Sequence, residues 1–440
     1  MTATATHPLL AGSPYRGYPY AYPHKTAYRP FDPPLPLRDV WADERRDALF
    51  LYIHIPFCEM RCGFCNLFTQ ARPAGGVADD YLDALARQAD QVRDALSDVR
   101  FARFAVGGGT PTFLDVPQLG RLFDVAERLL GGPLAVPASV ETSPATAEWE
   151  RLQLLRDRGV TRISIGVQSF AADETAAVAR PQQPAAVHAA LERIRSVGFP
   201  VLNIDLIYGL PGQTVASWLA SVRSAVRYAP EELYLYPLYV RPLTGLGRSR
   251  RAWDDLRLAC YREAVALLAD AGYEQVSMRM FRAAHAPADG GPVYCVQDDG
   301  MVGLGCGARS YTRRVHYGDE YAVRPAGVRD IIAAYIDRPA GRFALAAHGF
   351  HLDGDEQRRR YVLLTLLQAD GLPLDRYESR FGTDALADLP ELAELEPLGL
   401  ARHDGDRLVL TAAGLERSDA IGPWLHSPAV RARMEGYSWR

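Results

Sequence analysis

Three cysteines stand within eight consecutive positions of the chain, at Cys58, Cys62 and Cys65. Three thiolates with intervals of three and two residues between them can ligate three irons of a cubane iron–sulfur cluster. The fourth iron then has no protein ligand and stays open for a substrate or cofactor. The same spacing leaves two alternatives open: coincidence, or a structural zinc site, for which only His54 and Glu59 offer a nearby fourth ligand.

Glycines and polar residues that follow apolar runs are the next candidates for chemistry. Residues 107–109 are glycines and precede Thr110; their missing side chains can let the backbone approach a ligand, although a tight turn would use them equally. Glu141, Gln168 and Asp205 each come at the predicted end of a strand. Such groups can hydrogen-bond a sugar hydroxyl, but a solvated side chain or a helix cap explains any one of them as well.

These candidates are positioned by an alternation of apolar strands and amphipathic helices. Strands that are apolar throughout, alternating with crossover helices, indicate a parallel sheet buried on both faces. The carboxyl ends of such strands meet at one edge, so the cysteine loop, the glycines and the polar residues are expected at one mouth. Six units favour an α/β fold built as an incomplete (β/α)6 TIM-like barrel, and an open doubly wound sheet is the alternative. The predicted strands cover residues 49–55, 101–106, 134–142, 161–167, 201–209 and 233–240.

The barrel is predicted to occupy residues 48–245 of a four-part chain. Residues 1–47 are rich in proline and tyrosine, which predicts an extended amino-terminal arm wrapping the body; a disordered leader is the alternative. Residues 246–350 are predicted to extend the barrel and contain a glycine-rich loop. Residues 351–440 form the fourth part.

The fourth part has the order of a winged-helix-like domain. Three predicted helices are followed by two short strands that turn at Asp404 and Gly405. The third helix, at residues 389–400, carries glutamates where a nucleic-acid reader carries basic residues. We therefore predict a structural or lid role. A zinc-stabilised winged-helix regulator is the competing hypothesis from another class of protein.

The composition excludes several classes of protein. Of 440 residues, 48% are hydrophobic and 23% are charged, which is a globular balance and argues against disorder. The net charge of −4 and the lack of a long basic run argue against an electrostatic nucleic-acid binder. No stretch approaches the roughly 18 apolar residues of a membrane helix, and the first residues have no secretory pattern. We expect a soluble cytoplasmic protein with no membrane or nucleic-acid partner.

The cysteine segment and its context resemble the radical S-adenosylmethionine (SAM) superfamily, and most closely the oxygen-independent coproporphyrinogen III oxidase-like family. The resemblance spans roughly residues 48 to 420. It implies a [4Fe–4S] cluster, SAM bound to the open iron, and reductive cleavage of SAM to a 5′-deoxyadenosyl radical. The segments that carry it are YIHIPFCEMRCGFC (52–65), GGGTPTFL (107–114), VETSP (140–144), RISIGVQSF (162–170), ARPQ (179–182), NIDLIYGLPGQT (203–214) and VGLGCGARS (302–310).

By this resemblance, the three clustered cysteines hold the iron–sulfur cluster. Arg180 is placed to pair with the SAM carboxylate, and Tyr52 and Phe64 lie against SAM, although core packing also explains the two aromatic residues. A small-molecule substrate and an electron donor such as flavodoxin or ferredoxin complete the implied partners. The full set of implied SAM contacts is Tyr52, Phe64, Gly108, Gly109, Thr110, Glu141, Gln168, Arg180 and Asp205.

Three departures from the oxidase pattern bear on the reaction. The oxidase has a further cysteine where Leu67 stands, a small residue at the position of Tyr239 and an apolar residue at that of Arg309. The haem-chaperone branch has a His-Asn…Tyr-Trp segment that is absent here, where residues 291–300 read GPVYCVQDDG. Members that lack the oxidase features include C-methylases and cyclopropane-forming enzymes, which use two SAM molecules. Methyl or methylene transfer is therefore the leading hypothesis, with oxidase-type decarboxylation and haem carriage as alternatives.

Overall fold

The computed structural model of the chain describes residues 7–19, 21–240, 244–246, 255–287 and 300–438, and its elements are numbered here in chain order. The amino-terminal arm comes first, with strand β1 (Arg29–Pro36) and the one-turn helix α1 (Leu37–Val40). Four of the eight β1 residues are prolines, which a sheet tolerates at its edge. Tyr22 and Tyr28 of the arm are buried, so the described arm packs on the body as predicted, and the disordered-leader alternative is wrong for it.

The barrel follows the arm and repeats a strand–helix unit. Its strands are β2 (Leu49–Ile55), β3 (Phe57–Cys58), β4 (Gln70–Ala71), β5 (Phe101–Gly108), β6 (Ala138–Thr142), β7 (Arg162–Gln168), β8 (Val201–Tyr208) and β9 (Glu232–Pro237). Its helices are α2 (Val77–Leu96), α3 (Val116–Leu130), α4 (Trp149–Asp157), α5 (Ala172–Ala177), α6 (Pro184–Val197) and α7 (Val215–Val226).

The six long strands of this region lie in parallel, in the order β2, β5, β6, β7, β8 and β9. This order confirms the six predicted units and the barrel-type α/β fold. The strand predicted for residues 134–142 begins only at Ala138, because Pro137 has no N–H group to donate to a neighbouring strand.

A barrel extension enlarges the sheet on both sides. It consists of α8 (Asp255–Asp270), β10 (Tyr273–Gln275), β11 (Met280–Ala283), β12 (Met301–Leu304), β13 (Arg309–Tyr311), β14 (Val315–Gly318), α9 (Pro325–Ile336) and β15 (Leu345–His351). Among the described residues, thirteen strands form one sheet in the order β1-β15-β14-β13-β12-β2-β5-β6-β7-β8-β9-β11-β10. Strand β12 is parallel to β2 and the other added strands are antiparallel.

The carboxyl-terminal domain has the predicted winged-helix order with one difference. Its elements are α10 (Gly354–Leu366), β16 (Leu372–Pro373), α11 (Leu374–Phe381), α12 (Ala385–Asp388), β17 (Ala401–Asp404), β18 (Arg407–Leu410), α13 (Ala412–Leu415), α14 (Ser418–Trp424) and α15 (Pro428–Glu435). The single third helix predicted for residues 389–400 is wrong. A 3-10 turn, Pro390–Glu394, follows α12 because Pro390 removes a backbone donor and forces Leu389 out of helical geometry.

The two largest apolar cores of the described residues hold these parts together. One lies in the barrel and its extension, and the other is in the carboxyl-terminal domain. Leu9, Tyr22 and Tyr28 of the arm belong to the second core, so the arm is packed between the two parts. In the described parts of the chain, no helix combines the length and apolarity that crossing a membrane requires.

Candidate active site

The cysteine loop connects β2 to α2 and is fixed at several points. The short strands β3 and β4 pair and close its base, and the Arg72 N–H donates to the Cys58 carbonyl at 2.9 Å. In its middle, the Gly63 N–H donates to the Val178 carbonyl at 2.7 Å. A side chain at position 63 would lie 3.0 Å from that carbonyl, so the glycine allows this contact. The loop is therefore held in place by the segment that carries Arg180.

Each of the three cysteine sulfurs has a hydrogen-bonding neighbour. The Thr110 hydroxyl donates to Cys58 Sγ at 3.6 Å, and Arg180 Nη1 donates to Cys62 Sγ at 3.3 Å. Cys65 Sγ lies 3.7 Å from the Thr69 hydroxyl. Burial raises the pKa of Cys58 to about 12 and also raises the pKa of Cys65, so these groups are thiols until a metal displaces their protons. Donors at this distance favour the thiolate form once it exists.

The single-zinc alternative gains no support from the side-chain arrangement. Within the residues that the structure describes, no three His, Cys, Asp or Glu side chains converge closely enough to hold one metal ion. His54, a candidate fourth ligand, is buried, and its Nε2 lies 3.0 Å from the Phe68 carbonyl. Burial lowers its pKa to about 4, so the ring is neutral at physiological pH. Glu59 accepts instead from the Ser143 hydroxyl at 3.4 Å.

The three glycines at the end of β5 give room to neighbouring side chains. A Cβ at Gly107 would lie 2.7 Å from Glu141, and one at Gly108 would lie 2.6 Å from the His54 ring. A Cβ at Gly109 would lie 2.5 Å from the Phe57 carbonyl and 2.9 Å from Cys58 Sγ. These positions therefore let a histidine, a carboxylate and the cysteine loop pack directly against the strand.

Glu141 and Asp205 lie deep in the barrel and face its cavity. Glu141 is the last residue but one of β6 and accepts from the Gly108 N–H at 3.1 Å. Asp205 was predicted at a strand end, which is wrong: it is the fifth of eight residues in β8, with its side chain turned inward. Burial raises the pKa of Glu141 to about 7 and that of Asp205 to about 6. Nearby Asp205 raises the pKa of Glu141 further, because the two charges repel.

Gln168 and Arg180 lie next to one another at the top of β7. Gln168 has a φ of +70°, and its amide turns back over Gly166, where a Cβ would lie 2.8 Å from it. Arg180 Nη2 donates to the Gly166 carbonyl at 2.6 Å. Arg180 Nε is buried and has no hydrogen-bond partner, so this guanidinium has a donor that its protein neighbours do not use.

All twelve predicted site residues face one cavity of about 1290 Å³. Tyr52 lies with its hydroxyl 3.3 Å from His54 Nδ1, and Phe64 packs against Val178 and Ile207. The arm and the carboxyl-terminal domain complete the cavity wall. Pockets for drug-sized ligands are usually smaller than about 1,000 Å³, so this one has room for a cofactor and a substrate together.

Sequence reasoning missed the polar residues beneath the two carboxylates. Arg162 of β7 pairs with Glu232 of β9 at 2.7 Å. Ser164 and Asn203 lie between this ion pair and Asp205, and both donate hydrogen bonds to Asp205. The signal was present in the alternation of residues along β7, where every second side chain is turned inward. The sequence pattern predicts a strand that is apolar throughout, and the polar row departs from that prediction.

The positions that depart from the oxidase pattern lie on the same cavity. Leu67 is 49% exposed there, and Tyr239 and Arg309 also line the wall. Cys306, in the glycine-rich loop, is fully buried and does not line this cavity. Cys295, together with most of the segment 291–300, lies outside the described residues.

Replacing Gly109 with alanine is expected to prevent metal loading of the cysteine loop. The added Cβ would displace Cys58 Sγ and the Phe57 carbonyl, both of which lie under 3.0 Å from it. Iron and sulfide per chain after anaerobic reconstitution measure the effect. Gly120→Ala in α3 is the control, because nothing lies within 4 Å of that position and alanine suits a helix. Full iron content in Gly109→Ala would contradict this account of the loop.

Comparison with known proteins agrees with the fold. The model of the radical SAM superfamily matches residues 52–225, and that of the HemN C-terminal domain matches residues 352–416. An oxygen-independent coproporphyrinogen III oxidase of Pseudomonas aeruginosa is 30% identical over 92% of this chain and 91% of its own. The haem chaperone HemW of Mycobacterium tuberculosis is 31% identical over 84% of this chain and 93% of its own. The solved structure of coproporphyrinogen III oxidase (HemN) from Escherichia coli superimposes with a TM-score of 0.75, covering 91% of this chain and 93% of that one at 24% identity.

The incomplete barrel, with a three-cysteine loop above the ends of its strands, defines a radical SAM protein. Superfamily membership implies a [4Fe–4S] cluster and SAM. Within the superfamily, the chain belongs to the family of the oxygen-independent coproporphyrinogen III oxidases and the HemW haem chaperones.

Proposed function

We propose that the protein is a radical SAM enzyme that abstracts hydrogen from a small molecule held in the cavity. The observation that carries the proposal is that the three cysteines and the nine implied SAM contacts all face this one cavity. When bound, the cluster and SAM together supply the one-electron reductive cleavage of SAM. An electron donor of the flavodoxin or ferredoxin type is required to reduce the cluster.

The described residues fit these two groups. Cys58, Cys62 and Cys65 would hold three irons, and donors from Thr110 and Arg180 would stabilise two of the thiolates. The unused, buried Nε of Arg180 suits a carboxylate such as that of SAM.

The other implied contacts suit the remaining parts of SAM. Glu141 and Asp205 can accept from ribose hydroxyls, and Gln168 lies beside them above β7. Tyr52 and Phe64 offer apolar surface, while Gly108 and Gly109 bring the backbone close. This assignment uses every predicted site residue in one continuous arrangement.

The charge of the cavity wall indicates an anionic substrate. The chain has a net charge of −4, yet the described wall has eleven Arg or Lys side chains and only four Asp or Glu. Arg162, Arg279 and Arg313 are paired with carboxylates that do not line the wall, and without these three the basic side chains of the wall still outnumber its acidic ones. The basic residues are Arg16, Lys25, Arg162, Arg180, Arg279, Arg309, Arg313, Arg360, Arg376, Arg380 and Arg407.

An anionic substrate favours oxidative decarboxylation, the reaction class of the oxidase relatives, since that reaction needs a carboxylate. The deoxyadenosyl radical removes one hydrogen atom from the substrate, and a one-electron acceptor must take the electron that remains when carbon dioxide leaves. Methyl or methylene transfer, the hypothesis that leads from the sequence, needs a second SAM, and the oxidase and chaperone relatives give it no support. Coproporphyrinogen III itself is not assigned as the substrate, because Leu67, Tyr239 and Arg309 change the surface that a substrate meets.

Anaerobic turnover of the reconstituted protein tests this proposal. The reduced protein is given SAM and a panel of carboxylate substrates that includes coproporphyrinogen III, and 5′-deoxyadenosine, carbon dioxide and S-adenosylhomocysteine are quantified together. Deoxyadenosine with matching carbon dioxide is the expected result. Stoichiometric S-adenosylhomocysteine would instead establish methyl or methylene transfer. Tight haem binding with no deoxyadenosine from an iron-loaded protein would contradict the enzyme and favour a haem carrier.

A further inference from the structure

The polar row on β7 and β8 surrounds Asp205 from below. Ser164 and Asn203 face each other across these two strands in register. Asn203 Nδ2 donates to Asp205 Oδ1 at 2.8 Å and also to the Ser164 hydroxyl oxygen at 2.7 Å. The Ser164 hydroxyl in turn lies 3.5 Å from Asp205 Oδ2 and donates to it. Both oxygens of Asp205 are therefore held from below, and their other lone pairs are free to face the cavity.

The chemistry of these contacts fixes the orientation of the Asn203 amide. A carboxylate only accepts hydrogen bonds, so the NH2 group must be the end that faces Asp205. Asn203 is 1% exposed, and its Oδ1 is buried with no hydrogen-bond partner. Burying this acceptor without a partner costs free energy. An apolar side chain of similar size would fill the same space without that cost, so the asparagine must contribute something else. The two donated hydrogen bonds offset it.

The two cavity carboxyls differ in this support. Glu141 accepts from the Gly108 N–H, and no side chain of the described residues donates to it in the way that Asn203 donates to Asp205. The charged and titratable groups that face Asp205 from the neighbouring strands are Glu141 on β6, Arg162 on β7, and Glu232 and Tyr236 on β9. Arg162 is shared with Glu232, so it neutralises Asp205 only in part.

We infer that Asn203, assisted by Ser164, is a positioning residue that keeps Asp205 ionised and turned toward the ribose of SAM. This inference rests on the proposed function, because it takes Asp205 as a SAM contact. In this inference Asp205 is the carboxyl of the pair that carries the negative charge. Glu141 is the carboxyl that is protonated more readily.

The pH dependence of nucleoside binding follows from this role. Ribose hydroxyls donate to an ionised carboxylate, so affinity is lost as the pH falls through the pKa of Asp205, which lies at about 6. The Asn203 donor lowers that pKa against the effect of burial. Its removal therefore moves the loss of affinity to a higher pH.

Binding of S-adenosylhomocysteine to the anaerobically reconstituted protein tests the inference without any turnover. Calorimetric titrations are made between about pH 5 and pH 8, a range that includes the pH at which the wild-type protein is expected to lose affinity. This change in affinity with pH is called the step below. Asn203→Leu is expected to bind S-adenosylhomocysteine at least about tenfold more weakly at neutral pH. The midpoint of the step is expected to move upward by about one pH unit. Ser164→Ala, which removes the longer contact, is expected to move the step less in the same direction. Ser221→Ala is the control, because Ser221 is a buried serine of α7 that does not line the cavity.

Two further variants separate the outcomes. Asp205→Asn should abolish the step near pH 6, whereas Glu141→Gln should leave it in place. If Asp205→Asn abolishes the step while Asn203→Leu keeps the wild-type midpoint and affinity, the role of Asn203 is wrong and the proposed function stands. If the wild-type, cluster-loaded protein does not bind the nucleoside at any pH, the proposed function fails and the inference fails with it.

Discussion

Cys62→Ala is expected to lose the cluster and all SAM cleavage while the protein remains folded. A cubane held by three thiolates has no replacement ligand here, since the described residues near the loop offer no further cysteine. Cys62 is 8% exposed, and its thiol accepts a hydrogen bond from Arg180. Loss of so small a side chain costs about 1 kcal/mol of stability, which does not unfold a protein of this size.

Iron content, sulfide content and deoxyadenosine formation measure this effect, and the temperature of thermal unfolding measures the fold. Cys260→Ala is the matched control: it removes another buried thiol, from α8, outside the cavity. The control is expected to keep full iron content and turnover. Deoxyadenosine formation by Cys62→Ala at the rate of the control would show that the cysteine triplet is not the metal ligand set.

The barrel could be predicted from sequence because its signals are local. Each of the six parallel strands is a short, mostly apolar run between helices, and helices such as α3 and α6 end at a glycine with positive φ. The cysteine triplet is also a local signal. Its place after β2 therefore indicated both the fold and the end of the barrel where the site lies.

The barrel extension could not be predicted in the same way, because its strands are short and their pairing is set by distant residues. Strand β12 lies inside a glycine-rich stretch that resembles a loop, yet it pairs in parallel with β2. Gly303 is needed there because a Cβ would lie 2.3 Å from the Arg309 carbonyl of the adjacent strand. That requirement depends on the tertiary structure and has no local signature.

The same limit applies to the site. Residues in motifs, such as Cys58 or Arg180, could be named from the sequence. The supporting contacts could not, since Ser164 and Asn203 meet only through the register of β7 with β8. A shift of one residue in that register would turn Asn203 and Asp205 together out of the barrel and away from Ser164.

A junction at the cavity wall joins the arm, the barrel and the carboxyl-terminal domain through one ion pair. Arg279 Nη2 donates to Asp419 Oδ2 at 2.6 Å, and the side chains of Arg279 and Asp419 are 7% and 0% exposed. The Tyr239 hydroxyl also donates to Asp419. The Tyr18 ring lies 4.0 Å below the Arg279 guanidinium, and the Gly17 N–H donates to the Asp419 carbonyl at 3.1 Å. The arm is thus attached where the two larger parts meet.

Asp419→Ala is expected to lower the free energy of unfolding by about 3–5 kcal/mol, because it leaves the Arg279 charge buried without a partner. The arm should also detach more often, since Tyr18 stacks on a guanidinium that is no longer held in place. Thermal unfolding measures the first effect. The rate of tryptic cleavage after the exposed Arg16 measures the second, because cleavage requires the arm to leave the body.

The double variant Arg279→Met, Asp419→Leu separates the buried charge from the loss of packing. Replacing both partners with apolar residues removes the uncompensated charge, so this variant is expected to regain most of the lost stability. Asp47→Ala is the control, since its partner Arg45 is 87% exposed and such surface pairs contribute little. If Asp419→Ala unfolds at the same temperature and is cleaved at the same rate as Asp47→Ala, the ion pair does not hold the three parts together. Closure of the cavity must then depend on the apolar contacts of Tyr22 and Tyr28.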